Sequence, residues 1–371
     1  TISVDNVTGM VTVSSNLSPG VYTVTVRATD NCGLFTDAVF TLKVNCINSV
    51  TVNDLGDTAD ATPGDGVCDD GTGKCTLRAA IQEANTLTSC TPFTINFSVT
   101  GTIGLGAALP NLSHPSLTIQ GPGAGLLTVS RGTLAPFRIF RISAGVTAAI
   151  NDLTVANGRS DFGAGIFNDG NLTLNRDIVT GNTNNSPGQG VGGGLANRSM
   201  LTASDCTFDS NTTGLGAGIA NGFYNPSTVS VSAVLRNCTI SNNQSSFGAG
   251  LHNQGGLLFM YNCTVSGNIA SGSDPTGSGA GLENAAGYSE NSFAVLSSCT
   301  FSGNQQTGTS PNLADVIYSG NYGSFTSTVL LSNTILGGSA ATSNPNTAVY
   351  TDGVLPQPGG PCRITAEGKS M

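Results

Sequence analysis

The chain holds few residues able to move protons. There are two histidines, His114 and His252, and four glutamates, Glu83, Glu283, Glu290 and Glu367. Glycoside hydrolysis needs two carboxylates facing each other across the scissile bond. A lyase needs a base beside acids that bind calcium. The best-placed pair is His252 with Glu283. Each stands directly before the last Asn of a repeated phrase, FGAGLHN ending at Asn253 and GAGLEN ending at Asn284. The two can therefore touch across neighbouring repeats, but they lack a flanking Lys or Arg and a second acid. The matching positions elsewhere are Phe167, Ala196 and Ala220. They are read as a surface pair. Asp205 and Asp209 flank Cys206 without a recurring partner, and Arg176–Asp177 reads as an isolated local pair. No catalytic residue is assigned, and the chain is expected not to be an enzyme.

Thiol and amide chemistry is more regular. SDCTFDSN, RNCTISNN, YNCTVSGN and SSCTFSGN are variants of one phrase, centred on Cys206, Cys238, Cys263 and Cys299. Looser copies are NDLTVANG, NRDIVTGN and LSNTILGG. A second phrase alternates with it and ends at Asn168, Asn197, Asn221, Asn253 and Asn284. Successive copies lie 24 to 36 residues apart. Propeller blades and helical repeats pack as blocks of fixed length. A parallel β-helix needs only its short strands to superpose, about 4.8 Å apart, and lets its turns vary.

Alternating apolar pairs such as Leu172/Leu174 and Val229/Val231 supply those strands. Stacking would set the five Asn side chains into an amide ladder, with the preceding glycines permitting tight turns. It would also set the four cysteines into an inward column of free thiols, which pack as small hydrophobes. Oxidation of two neighbours would meet poor disulfide geometry on in-register strands. A linear column offers no tetrahedral metal cage.

Composition narrows the partners. Charged residues are only 9% of the chain, 13 Lys and Arg stand against 22 Asp and Glu, and there is no Trp. A net charge of −9 without basic clusters argues against nucleic acid. No apolar run reaches the roughly 20 residues of a membrane span. Thr1 opens inside a strand-like pattern with no secretory signal, which reads as a mature product or a fragment. Tyr224, Tyr261, Tyr288, Tyr318 and Tyr322 are the loop aromatics open to a sugar. Asn171, Asn197, Asn211, Asn237 and Asn262 head Asn-x-Ser/Thr sequons.

Three resemblances follow. The alternation of GAG-[IL]-x-x-N with F-x-x-N, literal at Phe208–Asn211 and Phe301–Asn304, resembles the repeats of polymorphic outer-membrane proteins over about residues 160 to 305. That resemblance implies an extracellular right-handed β-helix and surface adhesion. The stretch TVNDLGDTADATPGDGVCDDGTGKCTLRAAIQEAN resembles the CSLREA-type domain of bacterial surface proteins. Its phrase here reads Cys75-Thr76-Leu77-Arg78-Ala79-Ala80, with Thr for Ser and Ala for Glu. In that family the element precedes a β-helix. Leu77, Ala80, Ile81 and Ala84 form one apolar stripe at helical spacing, and Thr76 can cap the helix. A helix of this kind can cover the open first coil, with a Cys68–Cys75 disulfide pinning the loop before it in an oxidising compartment. The partners of Cys32, Cys46, Cys90 and Cys362 stay open. ISVDNVTGMVTV, PGVYTVTVRATDNCG and DAVFTLKV resemble the closing half of a cadherin-like or immunoglobulin-like sandwich.

The loop's Asp54, Asp57, Asp60, Asp65, Asp69 and Asp70 form the single place where calcium is conceivable. Their spacing matches no known calcium repeat, so a solvated acidic loop is expected and no cofactor is assigned. The expected fold is all-β, a right-handed parallel β-helix of about eight to ten coils with a short helical cap and an incomplete N-terminal sandwich. The expected units are 1–46 partial sandwich, 47–92 cap, 93–338 β-helix, and 339–371 linker and strand-like tail. AVYTDGV and PCRITAEGKSM in the tail have no obvious partner within the chain.

Either the chain is a fragment, or neighbouring copies donate strands to one another, with Cys362 pairing to Cys32 or Cys46 across the joint. The expected function is a non-enzymatic structural or adhesive protein outside a bacterial cell. Its partners would be further copies, a host or abiotic surface, or polysaccharide. The alternative is a polysaccharide-binding or polysaccharide-degrading β-helix enzyme.

Overall fold

Five-residue strands with the sequence rhythm of Asn-Leu-Thr-Leu-Asn (Asn171–Asn175) point both leucines inward and their neighbours outward. In the computed structural model of the protein this unit recurs from coil to coil. The structure describes residues 2–5, 8, 10–13, 20–185, 190–223, 231–272, 278–286, 290–308, 313–321, 325–337, 349–351 and 363–367. Three long parallel sheets of 11, 9 and 8 strands run side by side, each taking at most one strand from a coil. The protein is a parallel β-helix.

Register is kept from coil to coil. In the 11-stranded sheet Leu172 stacks on Leu201, then Ala233, Leu258, Ala294 and Val329. These side chains, and those of the two other sheets, fill one continuous apolar core. A slip of one residue would turn each column to solvent, so the register is strongly specified.

Two backbone devices make the corners. Asp152, Arg176, Asp205, Asn237, Asn262, Ser298 and Asn333 all adopt left-handed conformations, with φ between 48° and 59°, where strands of the 11-stranded sheet turn into the 9-stranded one. Asn and Asp tolerate that region best among residues with a side chain, which accounts for their frequency there. The second glycine of each GAG phrase answers a different need. A Cβ on Gly218 would stand 2.5 Å from the Gly250 carbonyl oxygen of the next coil.

The helix Leu77–Thr86 lies inside the first coil. Ser49–Val52 pairs in parallel with Phe93–Phe97, so the solenoid opens before the helix and the segment between is a long insertion. Thr76 Oγ1 accepts the Ala79 N–H at 3.1 Å and caps the helix. Leu77, Ala80, Ile81 and Ala84 join the main core.

At the front, Ile2–Val4 pairs with Val11–Val13, and Gly20–Thr29 pairs with Phe35–Val44, both antiparallel. Among the described residues these are two separate two-stranded sheets. The longer hairpin leaves Val21, Phe35, Val39 and Phe40 exposed.

The tail corrects the sequence reading. Val349–Thr351 pairs with Ile317–Asn321, and Arg363–Glu367 pairs with Ser327–Ser332. The segments expected to lack a partner in the chain add strands to the 8- and 11-stranded sheets. The reason is ordinary: a solenoid always offers an open edge, and Ile364 and Ala366 pair in register with Val329 and Leu331. Cys362 and residues 339–347 lie outside the described residues.

Candidate functional site

Two side-chain ladders run through the middle coils of the solenoid. In the first, the Asn168 Nδ2 donates to Asn197 Oδ1 at 2.7 Å, and the same bond recurs from Asn197 to Asn221, Asn221 to Asn253 and Asn253 to Asn284. Asn284 ends it on Ser327 Oγ at 2.8 Å. Every member is buried and also donates to a main-chain carbonyl, such as Met200 O for Asn168. The second ladder was missed at the sequence level. Asn182, Asn211, Asn243, Asn268 and Asn304 pass an Nδ2 to the next Oδ1 at 2.8–3.0 Å. The same Oδ1 atoms also accept the backbone N–H of the residue below, as Asn211 Oδ1 does for Asn182. Its signal was the Asn that closes each F-x-x-N phrase.

Cys206, Cys238, Cys263 and Cys299 are free and buried. They precede strands paired in register, Thr207 with Thr239, Thr239 with Thr264 and Thr264 with Thr300, so they form one column. Their thiols donate to carbonyls two residues back, Ser204, Arg236, Tyr261 and Ser297. Hydrogen bonding to the thiol below, then burial, pushes the Cys238 and Cys263 thiols up to about 12.

The column extends past the cysteines. Thr334 follows Cys299, and Asp177 precedes Cys206. Arg176 and Asp177 are therefore not a pair. The αL corner turns Arg176 outward, where its guanidinium holds Asp152 in two bonds. Asp177 points inward and accepts Leu153 N at 3.0 Å and Asn175 N at 3.1 Å. Desolvation raises its carboxyl to about 8 against those two bonds.

His252 and Glu283 do meet, with Nδ1 and Oε1 3.6 Å apart, but both are buried, which corrects the surface reading. They belong to an outward-facing row of the 8-stranded sheet: Arg141, Phe167, Ala196, Ala220, His252, Glu283 and Tyr318. From Phe167 onward that row is covered, because the turns between strands fold across the sheet. An alternation count cannot see this cover. Neither ring nitrogen of His252 has a hydrogen-bond partner, while Ser278 Oγ lies 3.5 Å from Glu283 Oε2.

The capping insertion is held by its polar residues. Arg78 forms two bonds to the Asp57 carboxylate, both 2.9 Å, and donates to the carbonyls of Ala107 and Ala108. Buried Glu83 accepts Gly64 N and Gly66 N at 2.5 and 2.6 Å. Asn85 Oδ1 accepts Ser113 N and His114 N. Most of the loop's aspartates cap their own turns: Asp54 takes Gly56 N, Asp60 takes Thr62 N, Asp65 takes Val67 N, Asp69 takes Gly71 N, and Asp70 takes Thr72 N. Among the described residues no group of three or more acids, histidines or cysteines is placed to hold a metal. Cys68 bonds to Cys75, and Cys46 to Cys90, while Cys32 is free and exposed.

The other singled-out residues divide by burial. Asn197 and Asn211 are buried ladder members, Asn237 and Asn262 are exposed, and Asn171 is half-buried. Tyr318 is buried, and the Arg236 guanidinium lies 4.5 Å from the Tyr261 ring. Tyr224, Tyr288 and Tyr322 lie outside the described residues. No helix among those described is long and apolar enough to cross a membrane. No protein family, curated protein or solved structure matches the chain.

Proposed function

We propose that the chain is a non-enzymatic structural protein of a bacterial exterior, a stiff rod that joins copies of itself head to tail and presents a surface for adhesion. The observation that carries this reading is the unbroken Asn168-to-Asn284 ladder, five buried amides linked at 2.7 Å across successive coils. Such a ladder resists bending and leaves its side chains no capacity for chemistry. Two disulfides suit an oxidising compartment.

Assembly is supported by the two ends. The hairpin of Gly20–Thr29 and Phe35–Val44 has free strand edges and exposed apolar residues. The last described coil has no further strand beside it among the described residues. Unpaired edges favour pairing with another chain, and a heterologous contact that does not close propagates. Because the tail strands are already paired within the chain, the front hairpin is the element offered for donation.

Electron microscopy of the purified chain over a range of concentrations tests the reading. Rods that lengthen into fibres are expected, and fewer of them after Val39→Lys. A chain that stays monomeric at high concentration, or one that turns over an acidic polysaccharide, would overturn it.

A further inference from the structure

The start of the outward row carries a feature that stiffness does not require. Arg138, Arg141 and Arg198 converge on the ring of Phe167, their guanidinium carbons 4.7, 5.4 and 6.0 Å from its centroid. With Phe162 and Phe223 they line a cavity of about 320 Å³, in the range of small-ligand sites. Phe162 and Phe223 stand nearly parallel, 14° apart at 6.1 Å, and Phe223 meets Phe167 edge to face. The floor is aromatic and apolar, and the cations stand around it.

Charge in this cavity is out of balance. Among the described residues Asp169 is the one carboxylate paired with these arginines, and it serves two of them: Arg141 at 3.1 Å and Arg198 at 3.8 Å. Arg138 has only the Ser160 hydroxyl, at 3.2 Å. The buried Arg198 Nε has no hydrogen-bond partner among the described residues. Burial, then the neighbouring charge of Arg141, lowers the Arg138 guanidinium from its ordinary value, with Asp169 acting the other way. A chain of net charge −9 with 13 basic residues places three of them here. A buried guanidinium nitrogen without a partner is costly, and a guanidinium fork is built to take a carboxylate through two parallel bonds.

We propose that this cavity binds a carboxylate carried on a six-membered ring with an apolar face, the carboxylate held by Arg138 and Arg198 and the ring lying against Phe167. A uronic acid unit of an acidic glycan and a small aromatic acid both present that chemistry. The cavity opens to solvent beside Phe162 and Arg141, whose side chains are about half exposed (43% for the Phe162 residue, 45% for the Arg141 side chain). A glycan chain can continue outward there. This site gives the rod a specific partner, and it stands or falls independently of whether the rod polymerises.

Calorimetric titration of the full chain tests it with three probes: a glucuronate trimer, benzoate, and the methyl ester of the trimer as a neutral control. Binding of at least one acid and not of the ester is expected, weakening as salt is added. Which acid binds tells glycan from aromatic acid. Arg198→Gln and Arg138→Gln should each weaken binding about tenfold, the effect of losing one hydrogen bond to a charged group, with the circular dichroism spectrum unchanged. Equal affinity for acids and ester, no binding of either acid, or unaltered binding by both variants would overturn the proposal. If a variant fails to fold, competition by inorganic sulfate on the unaltered chain decides, since an arginine site must lose its acid to sulfate.

Discussion

Asp177 lies one coil below Cys206 at the same place in the turn, and Thr207 N donates to the Asp177 carbonyl at 2.9 Å. A carboxylic acid thus occupies the first polar rung of a column otherwise filled by thiols, with Leu153 on the rung beneath. Burial raises its carboxyl from its ordinary value of 3.8 to about 8. The folded state then holds a proton that the unfolded chain has released, so folding takes up protons between those two values. Stability is full below about pH 4 at this residue, falls as pH rises, and levels off above about pH 8. Asp177→Asn keeps a neutral group in place and should remove that slope. At the acid end it should cost about 1 kcal/mol for the acceptor it loses, and as pH approaches 8 the variant should become the more stable of the two, because it has no buried charge to form. Urea midpoints taken from pH 4.5 to 8.5 check both effects, and a slope that survives the substitution would place the titrating group elsewhere.

Asn211 is a central member of the second ladder. It donates to Asn243 Oδ1 and Val179 O and accepts both the backbone and side-chain N–H of Asn182. Asn211→Leu leaves several buried polar atoms orphaned at once, each costing about 1–3 kcal/mol. A loss of about 3 kcal/mol or more in urea unfolding is expected. Asn171→Ala, at a half-buried strand position, should change it by less than about 0.5 kcal/mol.

Much of the fold was legible because stacking forces like residues onto like positions. The cysteine phrase and the GAG-x-x-N phrase are each one corner of the solenoid, written once per coil. Features that occur once were not legible in this way. Asp177 sits in the thiol column without being a cysteine, so it reads as the neighbour of Arg176. The burial of His252 and Glu283 depends on turns crossing the sheet, and the varied turns carry no repeat to read. The arginine cavity joins residues 138, 141 and 198 through register, which only the coil length sets. The tail strands pair with partners about 30 residues back across a low-complexity stretch, where local pattern says nothing.

Arg78 fastens the cap to the solenoid. Its guanidinium makes the double bond to Asp57 and reaches two carbonyls of the 107–108 turn, with both charged side chains mostly buried. Lysine keeps the charge but cannot reproduce the planar fork. Arg78→Lys should lower stability by about 2 kcal/mol. It should also expose the 53–76 loop to protease while the later coils stay protected. Limited proteolysis followed by mass spectrometry locates the first cut. A first cut within residues 140–270 instead would mean that the cap is not the weaker part.

The four thiols of the column should be chemically silent until the solenoid opens. Each is buried, each donates to a carbonyl of its own turn, and hydrogen bonding to the thiol below, with burial, pushes Cys238 and Cys263 up to about 12. Alkylation requires thiolate and access, and access is missing at all four. Cys32, free and exposed, is the contrasting group within the described residues. Iodoacetamide at pH 8 should therefore modify Cys32 within minutes and spare Cys206, Cys238, Cys263 and Cys299, as read by peptide mass. In urea all four should react together, because one register holds the whole column and opening one coil strips its neighbours of their cover. Sequential labelling, with Cys299 far ahead of Cys206, would instead show that the solenoid frays coil by coil from its later end.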